Sequence, residues 1–255
     1  MKTVHTMRDA NVPAPSANWC LFLDVDGTLI EFGDSPADTR VDDDLKRLLR
    51  AVDRNLGGSL ALVSGRSIEN LDAMFAPSRF AAAGLHGVER RGLSGEIQRA
   101  QFADAVLDRA RASMRAFVDR NPGAILEDKG AALALHFRMT PHLEQSARRL
   151  LSGIAADLGE RFHLLEGDKV VEIKPSLVNK ATAIEAFLLE APFLGRTPVF
   201  VGDDITDQDG FRAVELHGGV SIAVGDRVSA QWRLENSVAV RAWLERIAAM
   251  GDQRS

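Results

Sequence analysis

Buried strands and amphipathic helices alternate at both ends of the chain. The first apolar run, residues 20–23, predicts a buried strand, and an amphipathic helix follows it at residues 41–52. The run SLALV at residues 59–63 predicts a second buried strand. Strand, helix and strand in this order, with short connections, are typical of a parallel sheet covered by helices.

The same alternation returns in the last third of the chain. The predicted elements are a helix at 179–190, strand TPVFV at 197–201, a helix at 207–216 and strand VSIAV at 220–224. We therefore expect an α/β fold with a doubly wound parallel sheet and a Rossmann-like core.

The middle of the chain has a different pattern, helix followed by two strands, which occurs twice. The elements are a helix at 103–120, strands at 124–128 and 132–138, a helix at 143–158, and a hairpin at 162–174 that turns at Gly167-Asp168. This pattern predicts a smaller inserted α+β cap domain at residues 100–174. Residues 18–99 and 175–255 would form the core, and residues 1–17 a loose tail.

Composition and charge exclude several functional classes. The formal charge of −5 and the pI near 5.7 provide no basic face for nucleic acid. No apolar run is long enough to span a membrane, and the first residues lack the apolar middle of a signal peptide. The single cysteine, Cys20, forms no internal disulfide, so we expect a reducing, cytoplasmic location.

Asp24 and Asp26 directly follow the first predicted strand. Two carboxylates about 4 Å apart repel by roughly 4 kcal/mol at an effective dielectric constant near 20, so a neighbouring cation is expected. A metal ion is the obvious choice. The dipeptide Asp26-Gly27 is also a strong turn signal, and the pair alone fits an ordinary turn equally well.

Four polar clusters follow predicted strands or begin a predicted helix: residues 24–28, residues 64–66, Lys180 and residues 202–207. Each one alone has a structural explanation, as a turn, a helix cap, a surface lysine or a loop. In doubly wound sheets, however, ligands bind at the carboxyl ends of the strands. Their joint occurrence in this order therefore indicates an active site.

The clusters DVDGT, SGR, Lys180 and GDDITD resemble the four motifs of the haloacid dehalogenase superfamily of phosphotransferases. The resemblance implies that Asp24 is a nucleophile that attacks phosphorus and that Asp26 is first a general acid and then a general base. Ser64 and Lys180 would donate to the phosphoryl oxygens, Gly27 would permit the turn, and Thr28 would offer its amide and hydroxyl to phosphate.

The same resemblance implies a magnesium cofactor. The Asp24 side chain, the Asp26 backbone carbonyl and the Asp203 side chain would hold the ion, because Mg²⁺ prefers oxygen ligands. Asp204 and Asp207 are further candidate ligands, and the sequence does not rank them.

Six further segments resemble the trehalose-6-phosphate phosphatases: VSGRSIENLD, GLHGVE, EDKGAALALHFR, GDKVVEIKP, NKATAI and GDDITDQD. This resemblance implies a sugar-phosphate substrate. The implied sugar contacts are Arg66, His86, Glu127, Lys129, His136, Arg138, Lys169, Glu172 and Lys174. Phe137, Lys174 and Gln208 depart from the usual residues, and lysine at 174 loses the two-pronged donor of arginine.

Three alternatives remain open at this point. The chain fits another sugar phosphatase with the same type of cap, acting on sucrose phosphate or mannosyl-3-phosphoglycerate, and it also fits a phosphomannomutase. A sugar-phosphate sensor without activity is disfavoured because Asp24, Asp26, Lys180 and Asp203 are all present. The sequence predicts neither protein partners nor oligomeric state.

Overall fold

The computed structural model describes residues 12–31, 41–100, 104–128, 130, 132–167 and 169–250. The chain divides into two compact units. The core unit comprises Met1–Gln98 and Asn179–Ser255, and the inserted unit comprises Arg99–Val178. These limits lie close to the predicted insertion at 100–174, whose role as a specificity cap stays a prediction.

Twelve strands and seven α-helices are present in the described part of the chain. The strands are β1 (Trp19–Leu23), β2 (Leu60–Val63), β3 (Ala81–Gly84), β4 (Glu89–Arg91), β5 (Ile97–Arg99), β6 (Ile125–Asp128), β7 (Leu133–His136), β8 (Phe162–Gly167), β9 (Val170–Pro175), β10 (Thr197–Gly202), β11 (Val220–Val224) and β12 (Trp232–Leu234). The helices are α1 (Asp43–Asn55), α2 (Ile68–Phe75), α3 (Asp104–Arg120), α4 (Glu144–Leu158), α5 (Lys180–Leu188), α6 (Gln208–Leu216) and α7 (Ser237–Ala248).

The core unit is built on a sheet of eight strands in the order β12-β11-β10-β1-β2-β3-β4-β5. The strands from β12 to β3 are parallel, and β4 runs antiparallel to β3. The predicted α/β class with a parallel sheet is confirmed. Strand β3 was not predicted, because its sequence AAAG combines residues that are depleted in strands.

Both faces of this sheet are buried. Leu21 and Leu23 of β1 pack in a cluster with α1, α2 and α7, whereas Cys20 and Phe22 pack in a second cluster with α5 and α6. Helices on both faces are what a parallel sheet requires. Burial raises the pKa of the Cys20 thiol to about 12, so this cysteine is an inert part of the core.

The inserted unit is an antiparallel sheet in the order β6-β7-β9-β8, with α3 and α4 packed on one face. Leu133 and Leu135 of β7 lie in the apolar cluster with these helices. Because side chains alternate along a strand, Ala134 and His136 point to the other face, which we call the open face.

Three details of the prediction are corrected. Gly167 pairs with Val170 and still belongs to β8, so the hairpin turn lies one residue later than predicted. Strand β7 ends at His136, and Phe137 and Arg138 therefore lie beyond it. Of the expected loose tail, residues 1–11 lie outside the described residues, but Val12 is buried in the core.

None of the described helices combines the length and the hydropathy that a membrane crossing requires.

Candidate active site

Three adjacent parallel strands bring the predicted catalytic side chains to one edge of the core sheet. In the order β10-β1-β2, Asp203 follows β10, Asp24 follows β1 and Ser64 follows β2. The carboxyl ends of parallel strands lie on the same edge, where doubly wound folds bind their ligands. The backbone N–H of Asp24 donates to the carbonyl of Val201 at 2.9 Å and ties the end of β1 to β10.

Lys180 is the first residue of α5, and the cap of this helix fixes its position. The side chain of Asn179 accepts from the backbone N–H of Thr182 at 3.0 Å, and the Asn179 N–H donates to the Thr182 hydroxyl at 3.1 Å. This reciprocal capping box satisfies two of the donors that begin the helix. The sequence NKAT thus places a lysine at the buried start of a helix.

The ammonium of Lys180 lies between two carboxylates. Its Nζ donates to Asp24 Oδ1 at 2.6 Å and to Asp207 Oδ1 at 2.5 Å. The exposed fractions of the three side chains are only 3%, 7% and 0% for Lys180, Asp24 and Asp207. Since an ammonium has three N–H donors, one remains for a further acceptor.

Asp207 organises the loop after β10. Its Oδ2 accepts from the backbone N–H groups of Asp203 at 3.0 Å and Asp204 at 2.9 Å, while its Oδ1 accepts from Lys180. Both oxygens are therefore engaged inside the protein. Asp207 is fully buried, whereas Asp204 is half-buried, and the metal-binding roles of both stay predictions.

Three buried carboxylates lie together, and the ammonium of Lys180 contacts two of them, Asp24 and Asp207. Burial raises the pKa of Asp24 well above its ordinary value, Lys180 opposes this shift, and the charges of Asp207 and Asp203 reinforce it. Burial and the carboxylates of Asp207 and Asp204 raise the pKa of Asp203 to about 6. Burial lowers the pKa of Lys180, but Asp207 and Asp24 outweigh it and raise that pKa. The site thus has an excess of negative charge.

The residues present fit a metal ion. Oxygen atoms of Asp24, Asp203 and Asp207 all lie within 4.8 Å of one another. Hard divalent cations prefer such oxygen ligands, and a cation would offset the excess charge. Because Asp207 already accepts from Lys180 and two amides, Asp24 and Asp203 have the oxygens best suited to hold it.

Gly27 and Thr28 surround Asp203 from the loop after β1. Gly27 has a φ of +81°, and a Cβ at this position would lie 2.3 Å from Asp203 Oδ2. Any larger residue would therefore displace the carboxylate or strain the turn. The Thr28 hydroxyl donates to Asp203 Oδ1 at 3.3 Å. The structure thus engages the Thr28 hydroxyl with Asp203, which the sequence did not predict.

Asp26 makes a two-pronged contact with Arg66. The guanidinium donates through Nε to Oδ2 and through Nη2 to Oδ1, both at 2.6 Å, and its Nη1 donates to Asn70 Oδ1 at 3.1 Å. Both oxygens of Asp26 are therefore occupied by Arg66. Such bidentate pairs fix the geometry of both partners.

Ser64 lies next to His86 at the end of β2. The backbone N–H of His86 donates to the Ser64 carbonyl at 2.9 Å, and a Cβ on Gly65 would lie 2.7 Å from His86 Nε2. Leu85 and His86 have φ values of 51° and 57°, in the left-handed region that costs free energy for residues with a Cβ. The strained turn packs the imidazole against Gly65, beside Ser64.

The open face of the inserted unit brings together several of the predicted sugar contacts. Glu127 and Glu172 both pair with Ala134 in register, so they lie on the same face as His136. His136 Nε2 lies 2.8 Å from Glu127 Oε2. Lys174 shares this face with Glu172, and both are buried. The predicted contact Lys129 lies outside the described residues, and Arg138 is exposed beyond the end of β7.

Lys169 and Glu166 contact helix α4 and do not join the open face. Lys169 Nζ donates to Glu144 Oε2 at 3.1 Å, and Glu166 pairs with Arg148 of α4. The strand alternation explains this difference, because Glu166 shares the parity of Leu164, which packs towards the helices. Lys169, an implied sugar contact, therefore lies away from the open face.

One charged neighbour of the site was missed by the sequence analysis. Arg227, in the loop after β11, has its Nη1 at 3.6 Å from Asp203 Oδ2. The available signal was positional: the sequence GDR follows a predicted strand, as GDD does, and the ends of neighbouring parallel strands meet at one edge.

Comparison with known proteins identifies relatives of the whole chain. Residues 22–241 match the model of the family described as Trehalose-phosphatase. The chain is 41% identical over 243 residues to the trehalose-6-phosphate phosphatase of Escherichia coli (strain K12), covering 95% of this chain and 91% of that protein. It is 39% identical over 234 residues to a probable trehalose-phosphate phosphatase of Sinorhizobium fredii, covering 91% of this chain and 88% of that protein.

Solved structures agree with this assignment. A trehalose-6-phosphate phosphatase related protein superposes with a TM-score of 0.76 at 26% identity, covering 92% of this chain and 99% of that one. The C-terminal domain of the Candida albicans trehalose-6-phosphate phosphatase has the same fold, with a TM-score of 0.77 at 20% identity over 91% and 93% of the chains. The chain therefore belongs to the trehalose-phosphatase family.

Proposed function

We propose that the chain hydrolyses trehalose 6-phosphate to trehalose and inorganic phosphate through an aspartyl-phosphate on Asp24. The observation that supports this most directly is the buried contact of Asp24 with Lys180, at 2.6 Å, in a member of the trehalose-phosphatase family. A carboxylate is a nucleophile that needs no helper base, and Lys180 fixes the direction in which it points.

In the first step, an oxygen of Asp24 forms a bond to phosphorus while the bond from phosphorus to the sugar oxygen breaks. Asp26 supplies the proton to the departing sugar oxygen. In the second step, water attacks the phosphoryl group, Asp26 takes the proton from that water, and the Asp24 carboxylate is released with inorganic phosphate.

The contact with Arg66 orients Asp26 for both steps. Arg66 donates one hydrogen bond to each oxygen of Asp26, and each oxygen keeps a second lone pair for the transferred proton. An incoming phosphate dianion would also be a suitable acceptor for the guanidinium N–H groups of Arg66.

The phosphoryl oxygens need donors. The third N–H of Lys180 and the hydroxyl of buried Ser64 are the groups that we assign to this role. The Ser64 hydroxyl accepts from the backbone N–H of Arg66 at 3.1 Å, which leaves its own proton for the substrate. We keep His86, packed beside Ser64, as a contact to the substrate.

We propose magnesium as the metal, held by Asp24, Asp203 and the backbone carbonyl of Asp26. Bound there, Mg²⁺ would offset the charge of the buried carboxylates and of the phosphate dianion. Asp207 would act indirectly, because it positions Lys180 and the amides of Asp203 and Asp204.

The open face of the inserted unit is the proposed contact surface for the sugar. Carboxylates and imidazole accept, and ammonium groups donate, so Glu127, His136, Glu172 and Lys174 suit the hydroxyls of a disaccharide. The family resemblance adds Arg138 and Lys129 to the proposed sugar contacts. It also adds Lys169, whose ammonium donates to Glu144 when no sugar is bound.

A panel of sugar phosphates tests the proposed substrate. We expect phosphate release from trehalose 6-phosphate with a kcat/KM at least about 100-fold above that for sucrose phosphate, mannosyl-3-phosphoglycerate and mannose 6-phosphate, since unpaired polar groups disfavour the wrong sugar. A preference for one of the other phosphates would replace the proposed substrate. Isomerisation of a sugar phosphate without phosphate release would indicate a mutase.

Asp24→Asn should reduce kcat by more than about 1000-fold, because an amide is a poor nucleophile. The melting temperature of the metal-free protein should stay unchanged or rise, because the substitution removes one charge from a site with excess carboxylates. The control is Asp43→Asn, at an exposed position of α1. Turnover within tenfold of the parent would exclude Asp24 as the nucleophile.

The metal requirement should depend on pH. The pKa of Asp203 is about 6 in the folded protein against an ordinary value of 3.8, so the folded protein holds an extra proton in this interval. The stability of the metal-free protein then falls as the pH rises through about 6. The affinity for a metal that needs the ionised carboxylate rises with pH over the same interval.

We therefore expect Mg²⁺ to raise the melting temperature more at pH 7 than at pH 5, and chelation to abolish activity. Asp203→Asn should remove the thermal gain, whereas Asp43→Asn should keep it. Equal gains at both pH values, or full activity after exhaustive chelation, would contradict the proposed metal site.

Glu172→Gln should lower kcat/KM for trehalose 6-phosphate by about tenfold, the scale of one lost charged hydrogen bond. Hydrolysis of a small aryl phosphate should change by less than twofold, because it has no sugar hydroxyls for this residue to bind. The matched control is Glu166→Gln in the same hairpin, whose side chain pairs with Arg148 on the helix side. Equal losses on both substrates would make Glu172 structural.

A further inference from the structure

The loop between β11 and β12, residues 225–231, lies at the same edge of the core sheet as the proposed metal site. Strand β11 runs parallel to β10, with Ala223 paired to Gly202. The loop therefore begins next to the point where Asp203 follows β10.

The backbone of this loop is fixed at both ends and in the middle. The Gly225 N–H donates to the Leu234 carbonyl at 2.9 Å, and the Gln231 N–H donates to the Ser221 hydroxyl at 3.0 Å. Arg233 donates to the carbonyls of Gly225 and Val228, and the Val228 side chain is buried in the core. These contacts fix the loop backbone and therefore the Cα positions of its residues.

Arg227 extends from this fixed loop to Asp203. Its Nη1 lies 3.6 Å from Asp203 Oδ2, and its side chain is 60% exposed while that of Asp203 is only 6% exposed. Moving such a long, exposed side chain away from its partner costs little free energy. The attraction in an exposed ion pair is weak, and the side chain regains conformational entropy when it is released.

The cations of the site contact different carboxylates. Lys180 contacts Asp24 and Asp207, and its two contacts do not include Asp203. Asp203 Oδ1 accepts from the Thr28 hydroxyl, and Asp203 Oδ2 faces Arg227. The charge of Lys180 also acts on Asp203, and the guanidinium of Arg227 forms a direct ion pair with this carboxylate, which we propose as a metal ligand.

We propose that Arg227 is a displaceable counter-ion of this site, which pairs with Asp203 when no metal is bound and is displaced when a divalent cation binds. The inference rests on the proposed metal site at Asp24 and Asp203. Two positive charges compete for one carboxylate, so Arg227 lowers the affinity for the metal and limits its retention. Arg227 is thus a positioning residue, since it acts on the reaction through Asp203.

The test is a direct binding titration with Mn²⁺, an oxygen-preferring divalent cation whose free form is counted by electron paramagnetic resonance. Arg227→Gln keeps the shape of a long polar side chain and removes the charge. We expect its dissociation constant for Mn²⁺ to fall by about two- to fivefold at low ionic strength, the range that corresponds to one exposed ion pair. The difference should shrink as salt is added.

The matched control is Arg47→Gln on α1. Its side chain is 63% exposed and pairs with Asp44, so it changes the net charge equally without touching Asp203. An unchanged or weaker Mn²⁺ affinity in Arg227→Gln would overturn the inference, and so would an equal gain in Arg47→Gln.

The parent protein and Asp203→Asn separate this inference from the proposed function. Tight Mn²⁺ binding by the parent that Asp203→Asn abolishes would support the metal site whatever Arg227→Gln does. Absence of Mn²⁺ binding in the parent would overturn both the metal site and the inference built on it.

Discussion

The ammonium of Lys180, buried between Asp24 and Asp207, is the interaction on which the site depends. Three carboxylates lie together in a nearly dry environment, and one ammonium offsets only part of their charge. Removing it would leave two buried carboxylates without their cation, which is among the costliest changes in a protein interior. Burial is the main reason why the pKa values of Asp24 and Asp203 are raised, and the neighbouring carboxylates raise them further. A metal ion fits there because it would offset this excess of negative charge.

The rest of the core unit serves to place these charges. The strand order β10-β1-β2 brings the residues after each strand to one edge, and the Asn179 cap sets Lys180 at the first position of α5. Asp207 then orients the Asp203 amide through its second oxygen. Arg66 and Arg227 pair with Asp26 and Asp203 at the border of this buried centre, and in the proposed cycle a metal ion displaces Arg227 from Asp203.

Periodicity and motif order were sufficient to predict the fold class and the position of Asp24, Ser64 and Asp203 at one edge of the sheet, because the carboxyl ends of parallel strands lie at a common edge. Periodicity and motif order did not predict the side-chain contacts between segments that lie far apart in the sequence. The pairing of Arg66 with Asp26 over 40 residues and of Lys169 with Glu144 of α4 left no periodic signal. The contacts of Asp207 with Lys180 and with the amides of Asp203 and Asp204 depend on the Ile205–Asp207 turn, which also has no periodic signal.

The most direct measurement of the central claim is mass spectrometry of the acid-quenched enzyme during turnover of trehalose 6-phosphate with Mg²⁺. The account predicts a phosphoryl group on the peptide that contains Asp24. This group should form as rapidly as trehalose is released, and it should disappear once the substrate is used up. Phosphate release with no phosphorylated peptide in a time-resolved series, or a phosphoryl group on another residue, would contradict it.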